Sequence, residues 1–241
     1  PSFELNPKLG KEINYDCFKP LVVASKEMGI KHFIYASSSS VYGVKDIPDV
    51  TEAATLEPLT DYSKFKVQCE EILLSKTDSN FIGSVIRPAT VCGYSPRMRL
   101  DVSVNLLTMQ ALTKKKINVF GGNQTRPNIH IKDMINVYKH FLNNKEIPSG
   151  CYNAGFENIS ILEIAKQVSK SIDAEILITE SNDPRSYRQD STKLIKTGFK
   201  PLYKISDAID EIIKNFQEGL IDGSDSQYTV KWMKKLGLSE T

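Results

Sequence analysis

The sequence predicts an α/β fold, a doubly wound parallel sheet followed by a smaller α/β lobe. Three observations predict it. Short apolar strands alternate with amphipathic helices, those helices are long enough to serve as crossovers between parallel strands, and beyond Gly93 the alternation continues with looser spacing. With 241 residues, 40% of them hydrophobic, the chain can bury a full core.

Residues 1–10, with Pro1, Asn6, Pro7 and Gly10, read as a loop. From Lys11 to Met28 the positions Ile13, Leu21, Val22, Ala24 and Met28 give a helix, which Gly29 closes. Lys31 to Ala36 reads as a short buried strand that runs into Ser37, Ser38, Ser39 and Ser40. A loop rich in proline and acidic residues then leads to a helix from Tyr62 to about Ser75, with Phe65, Cys69, Ile72 and Leu73 on one face. Phe81 to Ile86 is the next strand.

After Gly93 the pattern gives a helix near Val102 to Ala111, a strand at Ile117 to Phe120 and a helix starting near Asp133. Cys151 to Ala154 is a strand, and Ser160 with Glu163 spells a capping box ahead of Ile161, Leu162, Ile164, Ala165 and Val168. Glu175 to Thr179 is another strand, and Ile205, Ile209, Ile212 and Phe216 mark a further helix. Beyond Gly219 only Val230, Trp232 and Met233 carry a signal. A division into residues 1–100 and 101–241 is expected, with some later segments returning to the first sheet.

Composition excludes several classes of function. Thirty-one basic against twenty-nine acidic residues leave a charge of +2, too weak a field to draw nucleic acid or an anionic membrane. No stretch approaches the roughly 20 apolar residues of a bilayer span, and no signal peptide is visible, so a soluble, cytoplasmic protein is expected. Cys17, Cys69, Cys92 and Cys151 lack metal or redox spacings and read as reduced core thiols. His32, His130 and His140 are scattered, so no metal site is expected.

Tyr62 and Lys66 stand one turn apart on a helix, where residues four apart are neighbours. A nearby ammonium stabilises a phenolate, so the pair can form an acid or base usable near neutral pH. Spacing alone is weak evidence, since Tyr15 and Lys19 repeat it. Context separates the two pairs: Tyr62 lies between a strand ending in serines and a strand ending at Arg87-Pro88, and open α/β sheets bind ligands at the carboxyl ends of their strands. A serine there can hold the reacting oxygen, or can be merely a polar strand exit.

Ala36-Ser-Ser-Ser-Ser-Val-Tyr-Gly43, Tyr62-xxx-Lys66 and Arg87-Pro-Ala-Thr-Val-Cys-Gly93 together resemble the extended short-chain dehydrogenase/reductases, particularly the nucleotide-sugar epimerases and dehydratases. The resemblance implies a Rossmann-like domain over residues 1–100 and a lobe over 101–241 that binds a nucleotide-diphosphate sugar, with NAD or NADP as cofactor. It selects Ser38, Tyr62 and Lys66 as catalytic residues. It implies that Asn14, Ser37, Tyr62, Lys66 and Pro88 border the cofactor, Asn14 completing a proton relay. Ser39, Ser40, Thr90, Asn105, Leu106, Arg126 and Tyr187 are implied on the substrate side. Arg126 maps onto the family's diphosphate-binding arginine, a role that suits its planar fork. A second such arginine is expected in Asp183-Pro-Arg-Ser-Tyr-Arg-Gln-Asp190, where Arg185 and Arg188 are alternatives. Arg97 and Arg99 read equally as phosphate ligands or solvated charges.

The glycine-rich turn and ribose-reading acid of the family are not found, so the chain is expected to be a fragment lacking the first strands and inactive alone. Carboxylates that serve dehydratases and decarboxylases are replaced by Ser39 and Ser40, and a cysteine that serves 3,5-epimerases is absent from position 40. That leaves a 4-epimerase or 4-ketoreductase as the expected enzyme, with dehydratase or decarboxylase as alternatives and an inactive interaction module as the non-enzymatic one. The family further implies a homodimer through helices 11–28 and 62–75.

Overall fold

The structure is a computed structural model that describes residues 3–180 and 186–239. Helix starts earlier than the sequence pattern indicates. Asn6 caps α1 (Pro7–Lys11) by accepting from the Leu9 amide, and Pro7 takes the first-turn position where its missing N–H is harmless. A π-helical stretch, Glu12–Asp16, follows, and α2 (Phe18–Glu27) ends before Gly29 at φ +79°. The expected single helix is therefore interrupted, and the loop read from Pro7 and Gly10 is largely helical.

β1 (His32–Ala36), α3 (Asp61–Leu74) and β2 (Ile82–Pro88) come next, then β3 (Thr90–Cys92), α4 (Ser103–Lys114) and β4 (Lys116–Phe120). β5 (Thr125–His130), α5 (Ile131–Asn143), β6 (Gly150–Ala154) and β7 (Glu157–Ser160) carry the chain to α6 (Ile161–Ser171) and β8 (Glu175–Thr179). Three helices finish it: α7 (Thr192–Lys196), α8 (Ile205–Gln217) and α9 (Thr229–Lys235). At the start of α6 the Ser160 hydroxyl accepts from the Glu163 amide, while the Glu163 carboxylate goes to Lys166, so only half of the expected capping box forms.

β1, β2 and β6 form one parallel sheet in that order. Helices cover both of its faces. Val85 packs with Phe18, Val22, Leu73 and Phe81 beneath α2 and α3, whereas its neighbour Ile86 packs on the other face with Met134, Val137, Phe141 and Tyr152 of α5 and β6. This is the doubly wound arrangement. Central β2 is buried between its two half-buried ends, but β1 is half-buried over residues 32–34, buried at Tyr35 and exposed at Ala36, because it forms an edge of the sheet. The reading of β1 as a buried strand is corrected accordingly.

A second sheet, β3-β5-β7, was not legible. Pro127 and Asn128 make β5 look like a turn, yet β3 pairs only from Asn128 onward, so the proline's missing N–H costs no β3 hydrogen bond. β4 and β8 pair in parallel, and α4, α6 and α8 enclose an apolar core beside them. Ile221 joins Met98, Leu100, Met109 and Ile212 in a further cluster, so the tail beyond Gly219 is anchored more firmly than its pattern suggests. Among the thiols, Cys69 and Cys92 are buried, Cys151 is half-buried and Cys17 is exposed, which corrects its assignment to the core. Burial pushes the Cys92 thiol up to about 12 and Cys151 up to about 11. Among the described residues no helix is long and apolar enough to cross a membrane, and no group of His, Cys, Asp or Glu could hold a metal ion.

Candidate active site

The site begins where β1 leaves the sheet. The Ser37 amide adds one more rung by donating to the Ile86 carbonyl at 2.8 Å, Ser38 stays extended, and a 3-10 turn, Ser39–Tyr42, follows. The turn ends at Gly43, with φ +72° and a backbone so close to the next loop that a Cβ would lie 2.0 Å from the Glu57 carbonyl oxygen. Only glycine fits there.

Within the turn, the Ser38 hydroxyl oxygen accepts from the Ser40 amide at 3.2 Å and from the Ser40 hydroxyl at 2.9 Å. Ser38 also acts on the Tyr62 phenol, lowering its proton affinity. Tyr62 arrives from α3, whose start is fixed by a reciprocal cap between Thr60 and Ser63. Burial raises the phenol above its ordinary value, and the Ser38 bond and the nearby Arg99 guanidinium pull it back.

Lys66 behaves differently from expectation. Its ammonium donates to the Ala36 carbonyl at 2.7 Å and lies 4.7 Å from the Tyr35 ring centroid and 5.5 Å from that of Tyr62. It sits against two aromatic faces, and burial lowers its proton affinity while Cys69 and Glu70 oppose the change. Arg99 is a cation that eases ionisation of Tyr62 here.

Behind this surface lies a buried polar network. Ser37 donates its hydroxyl to Glu70, and Arg87 grips both Glu70 oxygens through Nε at 3.0 Å and Nη2 at 2.6 Å. Arg87 Nη1 donates to the Tyr42 hydroxyl at 2.8 Å, which donates in turn to Asn153 Oδ1 at 2.7 Å. Asn153 Nδ2 donates to the Val50 and Asp190 carbonyls, and Gln189 Nε2 donates to the Arg87 carbonyl. Burial alone would lower Arg87, but Glu70 more than offsets this and holds it above its ordinary range. Burial pushes Tyr42 up to about 12 against the pull of Arg87.

The remaining expected residues are placed as follows. Asn14 lies in the π-helical stretch, with its amide donating to the Gly10 carbonyl and its own carbonyl accepting from the Cys69 thiol. Pro88 ends β2 opposite Ala154, and Thr90 is half-buried in β3. Asn105 is buried and committed to the loop above it, accepting from the Gly93 amide at 3.0 Å and donating to the Arg99 carbonyl at 2.8 Å, while Leu106 beside it is half-buried. Arg126, on β5, donates to the Thr125 carbonyl.

That same carbonyl accepts from the Tyr187 amide, and the Tyr187 hydroxyl donates to Ser39 at 3.0 Å, so the Arg126 strand is tied to the serine turn. Arg188 is exposed and paired with Asp49 at 3.3 Å, whereas Arg185 lies outside the described residues. Neither of two surface cavities, of about 340 and 320 Å³, is lined by Ser38, Tyr62 or Lys66. Glu70 and Arg87 were missed by sequence reading. A signal existed: Glu70 continues the Tyr62–Lys66 face one turn further, and Arg87 is a charge inside an apolar strand.

Residues 4–155 match the family model described as the NAD dependent epimerase/dehydratase family. The chain is 32% identical over 158 residues to the uncharacterized UDP-glucose epimerase YtcB of Bacillus subtilis, covering 64% of this chain and 49% of that protein. It is 27% identical over 219 residues to the UDP-glucose 4-epimerase of Streptococcus mutans, covering 80% and 64%. The chain thus spans about half to two thirds of these relatives. Among solved structures, the UDP-glucuronic acid 4-epimerase of Bacillus cereus in complex with UDP-glucuronic acid and NAD superposes with a TM-score of 0.74 at 28% identity, covering 85% of this chain and 67% of that one.

Proposed function

The chain belongs to the NAD dependent epimerase/dehydratase family, and on that premise we propose that it carries the proton-transfer and sugar-nucleotide-binding residues of an enzyme that oxidises and reduces C4 of a nucleotide-diphosphate sugar. The observation that carries this reading is the meeting of the serine turn and the start of α3 at the carboxyl end of a parallel sheet, where Ser38 acts on the Tyr62 phenol.

The residues present fit one end of a nicotinamide dinucleotide. Lys66 uses one of its three donors on Ala36, so two can meet ribose hydroxyls, and Tyr62 and Pro88 border the same mouth of the sheet. NAD or NADP bound beside Lys66, Tyr62 and Pro88 would supply hydride acceptance and return at the sugar carbon. The chain's own residues handle the proton: Tyr62 takes it from the C4 hydroxyl and gives it back, while Ser38 orients that oxygen. Arg126 and Arg188 bind the diphosphate, each guanidinium fork meeting two oxygens.

Ser39 is engaged by Tyr187 and Ser40 by Ser38, so neither position offers the carboxylate that loss of water or carbon dioxide needs. This favours redox at C4, as a 4-epimerase or 4-ketoreductase. Exposed Ile13, Leu21 and Met28 on the α1–α2 stretch support a homodimer through residues 11–28 and 62–75. The function is tested by Tyr62→Phe in the intact enzyme, with candidate nucleotide-sugars and either nicotinamide cofactor. Turnover should fall at least about 10²-fold while sugar-nucleotide affinity holds, and unchanged turnover would remove Tyr62 from the chemistry.

A further inference from the structure

We propose that Glu70 is a positioning residue for the reaction, acting through Ser37 to hold Ser38 at the Tyr62 phenol; the proposal rests on the proton-transfer role assigned to that pair. Ser38 has no bond to the Glu70–Arg87 ion pair, but it is bracketed by two residues that do. Ser37, immediately before it, donates its hydroxyl to Glu70, and Tyr42, at the end of the same turn, accepts from Arg87. Successive side chains of an extended segment point to opposite sides, so anchoring Ser37 inward aims Ser38 outward.

The same ion pair joins every element that carries the chemistry. Glu70 lies on α3 one turn beyond Lys66 and two beyond Tyr62, and Arg87 immediately precedes Pro88 at the end of β2. Through Tyr42 and Asn153 the network continues to the carbonyl of Asp190, and through Gln189 it reaches the segment bearing Tyr187 and Arg188. Both partners are almost wholly buried, at 3% and 4% side-chain exposure, so their bonds are dry and directional. A buried ion pair is a poor choice for stability, since desolvation consumes most of the attraction. Its geometric reach therefore points to placement as its use.

Arg87 has a second effect. Glu70 acts electrostatically on Lys66, and the bidentate guanidinium neutralises that carboxylate before it can capture the ammonium. Lys66 is thereby left to the Ala36 carbonyl and the aromatic faces.

The test compares Ser37→Ala, Ser37→Thr and Glu70→Gln with the intact enzyme, each checked for folding by circular dichroism. Ser37→Ala removes only the hydroxyl that reaches Glu70. It should lower kcat about 10-fold or more with KM for the sugar nucleotide unchanged, and move the alkaline-side dependence of kcat to higher pH, because a displaced Ser38 no longer favours the phenolate. Ser37→Thr keeps a hydroxyl and should restore both. Glu70→Gln should resemble Ser37→Ala, and if it fails to fold the Ser37 pair decides alone. Normal kcat and pH profile in Ser37→Ala would overturn the proposal, as would equal losses in Ser37→Ala and Ser37→Thr. Tyr62→Phe separates the two claims: an active Tyr62→Phe defeats the functional reading itself, whereas an inactive Tyr62→Phe beside a normal Ser37→Ala defeats positioning alone.

Discussion

Behind the serine turn the interior is polar and Glu70, Arg87, Tyr42 and Asn153 each face a named partner, whereas the interior enclosed by α4, α6 and α8 is built from Val, Leu, Ile and Ala with Cys92. The first region gives direction and the second gives free energy. Directional bonds fix a hydroxyl to within a few tenths of an ångström but return little net stability, because their groups were well solvated before folding. Apolar contacts return about 25 cal/mol per Å² buried and accept several arrangements. The molecule thus assigns placement and stability to different parts of its interior.

Breaking one partner of the ion pair should give the largest effect on this contrast. Arg87→Met leaves Glu70 buried and unpaired, so urea denaturation should show a loss of about 3–5 kcal/mol. Adding Glu70→Gln should recover most of the stability while turnover stays low; recovery of both would erase the distinction. In the apolar region, Ile209→Ala leaves a cavity at a fully buried site and should cost about 2–4 kcal/mol, with kcat of the folded fraction preserved. A drop in kcat there would show that the two interiors are mechanically joined.

The smallest effect sharpens the contrast through pH. Burial lowers the proton affinity of His32, His130 and His140 below the ordinary 6.5. A depressed folded value means the unfolded chain binds the proton first, so stability is present above pH 6.5 and is lost as pH falls below it. Melting temperature should decline from pH 6.5 toward 5.5, and His130→Gln should flatten part of that slope. An unchanged slope would move the effect to the other histidines or to carboxylates.

The alternation of strands and helices was legible because burial imposes a period on each element. β3, β5 and β7 were not: β3 is only three residues long, and Pro127 and Asn128 in β5 and Asn158 in β7 carry turn chemistry that only pairing overrides. The strand ends around Tyr62 singled it out in the sequence, while the choice of Ser38 among four serines came from the family resemblance. The destination of the Lys66 ammonium was not legible: spacing fixes where a side chain leaves a helix, while the Ala36 carbonyl and the Tyr35 ring decide where its far end goes. Glu70 and Arg87 escaped because a charge in sequence reads as surface until its partner is seen.

Asn105 has a consequence for how such a protein can diversify. One side-chain amide clips together both feet of the segment running from Gly93 to Arg99, so the width at its base is set independently of its tip. The exposed tip residues Pro96 and Arg97 can then change without disturbing the buried Met98 or the base of the segment. A lineage can re-tailor that exposed tip and leave the clip at its base untouched.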